Sequence, residues 1–170
     1  MCQNNILVQQ NVDRSNFFDR TWSEYKAGFG NTIGNYWLGN EQLHTLTQDN
    51  KYKLRFELQS TSGLWYWAEY DTFTVGDEST QYTLTVAGFN GSVSYDAMNR
   101  HNGMKFTTQD RDNDMWSGGN CASQWIGGGF WYNSCNYCDV NGVGDWFSWR
   151  YMSSSSDETL LTSRMWLFCR

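Results

Sequence analysis

Between Asn90 and Trp149 the chain is mostly Gly, Asn, Asp, Ser and aromatic residues, with few apolar runs of strand length. A third of the molecule therefore has to be held by something other than a sheet core. Within it stands Asp110-Arg111-Asp112-Asn113-Asp114-Met115-Trp116-Ser117-Gly118-Gly119-Asn120-Cys121. Three carboxylates alternate here, and Lys105 and Arg111 are the near neighbours of opposite charge. A bound cation removes the repulsion. Calcium takes carboxylate, carbonyl and water oxygens with flexible geometry, whereas magnesium demands a stricter octahedron, so the loop suits Ca2+ better. The Gly and closing Glu of a helix-loop-helix calcium loop are missing. On spacing alone, a solvated acidic loop ending in glycines stays open beside the ion site.

The whole chain of 170 residues is long enough for one domain with a real core. Ten Trp, ten Tyr and ten Phe can fill that core with few aliphatics. So many rings also leave some at the surface, where they suit flat ligands or sugar faces. The net charge of −6, with scattered basic residues, argues against a nucleic-acid groove. No apolar run approaches membrane-spanning length, so membrane insertion is not expected.

Five cysteines are present: Cys2, Cys121, Cys135, Cys138 and Cys169. Cys135-Asn136-Tyr137-Cys138 has the spacing of zinc and redox sites, but no second pair follows and no strand-helix pattern surrounds it. Disulfides in an oxidising compartment are favoured, and the odd number leaves one thiol free or paired elsewhere. Met1 directly before Cys2, with no signal pattern, reads as a domain of a larger secreted, extracellular protein. Asn90-Gly91-Ser92 is a glycosylation sequon compatible with that route.

Patterning predicts strands over Ile6–Gln10, Tyr52–Leu58, Leu64–Val75, Tyr82–Phe89 and Leu160–Cys169. Leu54, Phe56 and Leu58 alternate with Lys53, Arg55 and Glu57, the signature of a half-buried strand. Trp22, Tyr25 and Phe29 share one face of a short helix within Arg20–Phe29, closed by Gly30. Glu41–Thr47 reads as a second helix with Leu43 and Leu46 inward. The expected fold class is α+β: a twisted antiparallel sheet with short helices and a loop-rich subdomain. Residues 6–89 form the sheet-and-helix part of a single domain spanning 1–170. Residues 90–159 form the calcium and ligand subdomain, and 160–170 the returning strand.

Several segments together resemble the fibrinogen C-terminal domain. They are Phe18 to Gly30, Tyr36-Trp37-Leu38-Gly39-Asn40-Glu41, His101 to Thr108, the aspartate loop through Ala122, Trp131-Tyr132 before Cys135, Trp146 to Arg150, and Ser163-Arg164-Met165. The resemblance runs from about Ile6 to Met165. It implies a calcium-bearing extracellular recognition domain like those of ficolins and tachylectins. Carried over, Asp112 and Asp114 are the carboxylate ligands of Ca2+, Trp116 and Gly118 supply carbonyls, and Asp110 supports them from outside. It also implies a Cys121–Cys135 disulfide and a cis peptide at Ser134–Cys135 beside the ligand pocket. The sequence departs from the family where its usual His is Asn136, and where the segment after Asn141-Gly142 is shortened. Cys138 and Cys169 lie outside the family plan and are expected to pair with each other.

Tyr132, Ser134, Cys135, Asn136 and Tyr137 are the expected ligand contacts, because amphipathic rings and an amide suit a sugar's hydroxyls and apolar face. Trp131, Trp146 and Trp149 are assigned to the core, and Arg150 to an anionic group or Asp145. His44 and His101 read as structural, with no third group to orient either. No Ser or Cys nucleophile sits in a recognisable elbow, so the chain is not expected to be an enzyme. The functional expectation is a calcium-supported pocket for glycans or microbial cell-wall polymers, with avidity from oligomers of the full-length protein. The alternative is a protein–protein recognition module like those of fibrinogen and angiopoietin.

Overall fold

The computed structural model describes residues 5–153 and 156–170. Among the described residues, nine strands form one antiparallel sheet system: β1 (Ile6–Asn11), β2 (Phe29–Gly30), β3 (Tyr36–Trp37), β4 (Tyr52–Ser60), β5 (Trp65–Val75), β6 (Leu84–Gly91), β7 (Cys138–Asp139), β8 (Ser148–Ser153) and β9 (Ser156–Cys169). Their main order is β2-β3-β1-β9-β4-β5-β6, with β7 and β8 joined to the first part of β9. β9 is the spine of the molecule. One edge pairs with β4 from Leu160 to Cys169. The other pairs with β1 from Ser163 to Leu167 and with β8 at Glu158 and Thr159.

The alternation read in β4 is observed, with Leu54, Phe56 and Leu58 fully buried and the intervening residues less so. α1 (Trp22–Ala27) begins at a capping box: Thr21 Oγ1 accepts from Glu24 N, and Glu24 Oε2 accepts from Thr21 N at 2.9 Å. It buries Trp22 and Tyr25 and stops at Gly28, whose φ is +89°. A Cβ there would stand 2.4 Å from Leu38 O, so this close approach requires glycine. α2 (Asn40–Thr47) buries Leu43, and Leu46 packs partly buried against the core.

Rings from distant segments meet in the core. Trp131 lies 5.1 Å from Phe106, 6.1 Å from Trp37 and 6.2 Å from Phe73, centroid to centroid. The buried indole nitrogens have partners: Trp37 Nε1 donates to Asn40 Oδ1 and Trp131 Nε1 to Tyr82 O. β6 runs to Gly91 and β9 begins at Ser156, so the sheet reaches into the stretch read as loop. Among the described residues no helix is long and apolar enough to cross a membrane.

The expected Cys138–Cys169 bridge is not formed. Cys138 is a buried free thiol, while Cys169 is disulfide-bonded. Cys138 pairs with Trp149, which pairs with Glu158 near the start of β9. Cys169 lies at the far end of that strand, on the order of 30 Å away at about 3.3 Å per residue. A disulfide needs Cα atoms within about 7 Å. Cys2 lies outside the described residues.

Candidate functional site

The aspartate loop is organised by side-chain bonds to its own backbone and to α1. Asp110 Oδ1 accepts from Trp22 N at 2.8 Å and from Thr108 Oγ1 at 2.7 Å, which ties the loop to the first turn of α1. Asn113 Nδ2 donates to Phe106 O, and Asn120 Nδ2 donates to Thr108 O. Asp114 is half-buried, its Oδ1 accepting from Trp116 N at 2.9 Å and its Oδ2 from Cys121 N at 2.8 Å. Burial holds the Asp114 carboxyl above its ordinary range, opposed by those two N–H groups and reinforced by Asp112. Asp112 is exposed, and its Oδ1 accepts from Asp114 N at 3.3 Å.

Each Asp114 oxygen thus has one backbone donor and a second lone pair to offer, and Asp112 faces solvent beside it. Two adjacent carboxylates are a hard-oxygen set suited to calcium. Among the described residues no group of three or more His, Cys, Asp or Glu converges as a metal site, so backbone carbonyls and water would have to complete the shell. Gly118 packs on the Trp116 indole, where a Cβ would come within 2.6 Å of the ring.

The disulfide Cys121–Cys135 is present, and the Ser134–Cys135 peptide is cis. Met115 N donates to Asn133 O and Asn133 N to Cys135 O, so the aspartate loop is laced directly to the segment carrying the bridge. His101 holds the following residues. Its Nε2 accepts from Tyr137 N at 3.1 Å and Cys138 N at 3.3 Å, so Nδ1 carries the proton and donates to Trp131 O at 2.8 Å. Burial lowers its pKa to about 4, so it stays neutral in this role.

Beside the bridge opens a cleft of about 360 Å³ lined by Trp116, Trp125, Ser134, Cys135, Asn136 and Trp146. The three indoles meet edge to face, with Trp125 6.0 Å from both Trp116 and Trp146. A second cleft continues from it past Asn136, Tyr137, Asp145, Arg150 and Glu158. There the Arg150 guanidinium lies 4.2 Å above the Tyr137 ring, while Asp145 approaches Arg14 at 3.7 Å.

Of the expected contacts, Ser134, Cys135, Asn136 and Tyr137 line these clefts. Tyr132 does not. It is fully buried beneath them, bonded through its hydroxyl to Gly128 and Asp139. Trp131 and Trp149 are core, but Trp146 is 43% exposed and forms a cleft wall. Trp146 follows Gly142-Val143-Gly144-Asp145, and that turn composition is the available sign that its ring is not interior. It stands in the shortened segment after Asn141-Gly142.

Comparison with known proteins agrees with this architecture. Residues 2–161 match the family described as fibrinogen beta and gamma chains, C-terminal globular domain. Fibrinogen-like protein A of Apostichopus parvimensis is 38% identical over 160 residues, covering 89% of this chain and 56% of that protein. The chain thus spans just over half the length of that relative. The fibrinogen-like globe domain of human ANGPTL2 superposes with a TM-score of 0.85 at 36% identity, covering 96% of this chain and 79% of the other. Lamprey fibrin D-dimer, complexed with the peptide ligand Gly-His-Arg-Pro-amide, gives 0.81 at 29% identity, covering 95% of this chain and 60% of the other. The α+β sheet, the disulfide and the match over nearly the whole length leave one assignment: the chain belongs to the fibrinogen C-terminal domain family.

Proposed function

We propose that this domain is a non-enzymatic, extracellular protein-recognition module that takes a cationic peptide segment in the cleft walled by Trp116, Trp125 and Trp146. The observation that carries this is the indole trio itself, with Trp125 52% and Trp146 43% exposed in a chain of net charge −6. Ring faces attract a guanidinium or ammonium by about 0.5–2 kcal/mol each, more as water is excluded. The arginine peptide held by the lamprey relative, and the angiopoietin-like relative of similar fold, support a protein partner. The disulfide supports secretion. Calorimetry with an arginine-bearing tetrapeptide amide should show binding that weakens about tenfold in Trp146→Ala, and should show none when alanine replaces the arginine. An inert peptide beside a glycan-array signal would replace this reading with the lectin one. That second reading rests on the same indole faces and the Asn136 amide, which also fit a sugar's apolar face and hydroxyls.

Calcium belongs to the same proposal. Asp112 and Asp114, with the carbonyls of Trp116 and Gly118, would hold it, and the bound ion would supply fixed positive charge to an acidic loop. The loop residues then present Trp116 and, through Met115 N and Asn133 O, steady the bridge segment. At a hundredfold excess over its dissociation constant, a ligand of the folded state adds about 2.7 kcal/mol. Chelation should therefore lower the melting temperature by about 5–10 °C. Asp112→Ala should abolish that shift, and a wild-type melting temperature indifferent to added calcium would refute the assignment.

A further inference from the structure

Beneath the cleft, the proton count of one hydrogen-bonded chain does not close with an ionised carboxylate. Tyr132 Oη lies 2.7 Å from Gly128 O and 2.6 Å from Asp139 Oδ2, and both side chains are fully buried. A phenol has one hydrogen, and a peptide carbonyl has none to give. Two oxygens at these distances from a third need two protons between them, or one contact is a lone-pair clash. The second proton has one place to sit, on Asp139 Oδ2. The chain then runs Asp139 O–H to Tyr132 O–H to Gly128 C=O. Asp139 Oδ1 meanwhile accepts from Asn141 N at 2.8 Å.

This chain joins the two walls of the cleft. Gly128 follows Gly127, which closes the single π-helical turn Ala122–Ile126 that carries Trp125. A Cβ on Gly128 would stand 2.2 Å from Asn141 O, so that turn rests directly on the 139–141 segment, and Asn141 Nδ2 donates to Gly129 O. Asp139 pairs across to Ser148 on β8, two residues from Trp146. We propose that Asp139 is a positioning residue kept as a neutral acid, whose proton ties the Trp125 turn to β8, two residues beyond Trp146, and makes the cleft sensitive to pH. On ionisation Tyr132 has one hydrogen for two acceptors. It turns to the carboxylate, the buried Gly128 carbonyl loses its donor, and the Trp125 turn is released.

The surroundings agree. Burial raises Asp139 to about 7, opposed by the bonds from Tyr132, Asn141 and Gly142, and no lysine or arginine of the described residues is among the groups that set it. The titratable groups that feel its charge are Tyr132, Tyr25 and Cys138, each held protonated well above its ordinary range by burial. His101, which accepts from Cys138 N, titrates with the opposite sign. Asp139 holds a proton in the fold that the unfolded chain releases near 3.8, so its contribution to stability is lost as pH rises from about 4 through 7. His101 loses stability as pH falls from 6.5 to about 4. The two oppose each other over most of that range, so wild-type stability alone hides both.

Asp139→Asn separates them, because its Nδ2 donates to Tyr132 at any pH while its Oδ1 still accepts from Asn141. The ratio of wild-type to Asp139→Asn folding constants should fall about tenfold per pH unit between about pH 4 and 7, then level off. Carbon NMR should place the Asp139 carboxyl transition near 7. Asp139→Ala should lose stability at every pH. Parallel pH profiles for wild type and Asp139→Asn, or a carboxyl titrating near 4, would overturn the proposal. The effect on the cleft rests on the peptide reading above. Affinity for an N-acetylated arginine peptide should fall above about pH 7 in wild type and stay level in Asp139→Asn. The folding and NMR arms need no ligand, so they stand or fall independently of that reading.

Discussion

Trp131→Ala should destabilise the domain by about 3–5 kcal/mol, the range for emptying a large aromatic from a closed core. The ring is fully buried among Trp37, Phe73, Phe106 and Phe130, which come from four different parts of the chain. No one of those segments can move in to close the cavity without breaking its own contacts. The indole also donates to Tyr82 O at 2.7 Å, and stranding that buried carbonyl adds about 1–3 kcal/mol. Trp131→Phe divides the two terms, because it keeps most of the volume and loses the donor. Chemical denaturation checks this: the midpoint should fall in both variants, least in Trp131→Phe, with the slope unchanged. Equal losses in the two variants would mean the hydrogen bond outweighs the packing. The carbonyl of the same residue anchors His101, so a cavity here should also loosen the backbone at Tyr137 and Cys138.

Removing the bridge with Cys121→Ala and Cys135→Ala together should cost about 3 kcal/mol, the chain-entropy value for a closed loop of this size, with 14 residues separating the pair. The functional loss should be larger than that number implies. Cys135 lines the cleft itself, and Cys121 N is one of the two donors to Asp114. Without the bridge the aspartate loop and the Ser134–Asn136 wall keep only backbone lacing, so peptide affinity and the calcium-induced rise in melting temperature should fall together. Cys138→Ala is the matched control, because that thiol is free and buried, lies 3.4 Å from Met98 Sδ and does not itself line either cleft. It should lose a small packing contribution and bind as wild type does. Undiminished binding by the bridgeless variant would show that the cleft is shaped without it.

Elements governed by near neighbours in the chain were legible. The Trp22–Tyr25 face marked α1, although the helix stops at Gly28 and Phe29 belongs to β2, and the two-residue period of Leu54, Phe56 and Leu58 marked β4. β7 and β8 were not legible. Two residues at Cys138–Asp139 carry no period, and they become a strand only because β8, itself held by β9, pairs with them. The Trp146 ring misled for the same reason: an indole reads as core until its neighbours are known. Cys138 and Cys169 looked like a pair because both were left over, and strand length separates them.

The amino-acid order by itself determined the α+β class, the main strands, the aspartate loop and, through its family resemblance, the partner of Cys121. These follow from local periodicity and ordered signatures, which need no knowledge of what lies across the fold. The tertiary structure alone decided which tryptophans face solvent, which thiol is free, and that Asp139, Tyr132 and the Gly128 carbonyl meet in one buried chain. Exposure and proton affinity are set by how many atoms from distant segments exclude water from a group, and that sum exists only once the chain has folded.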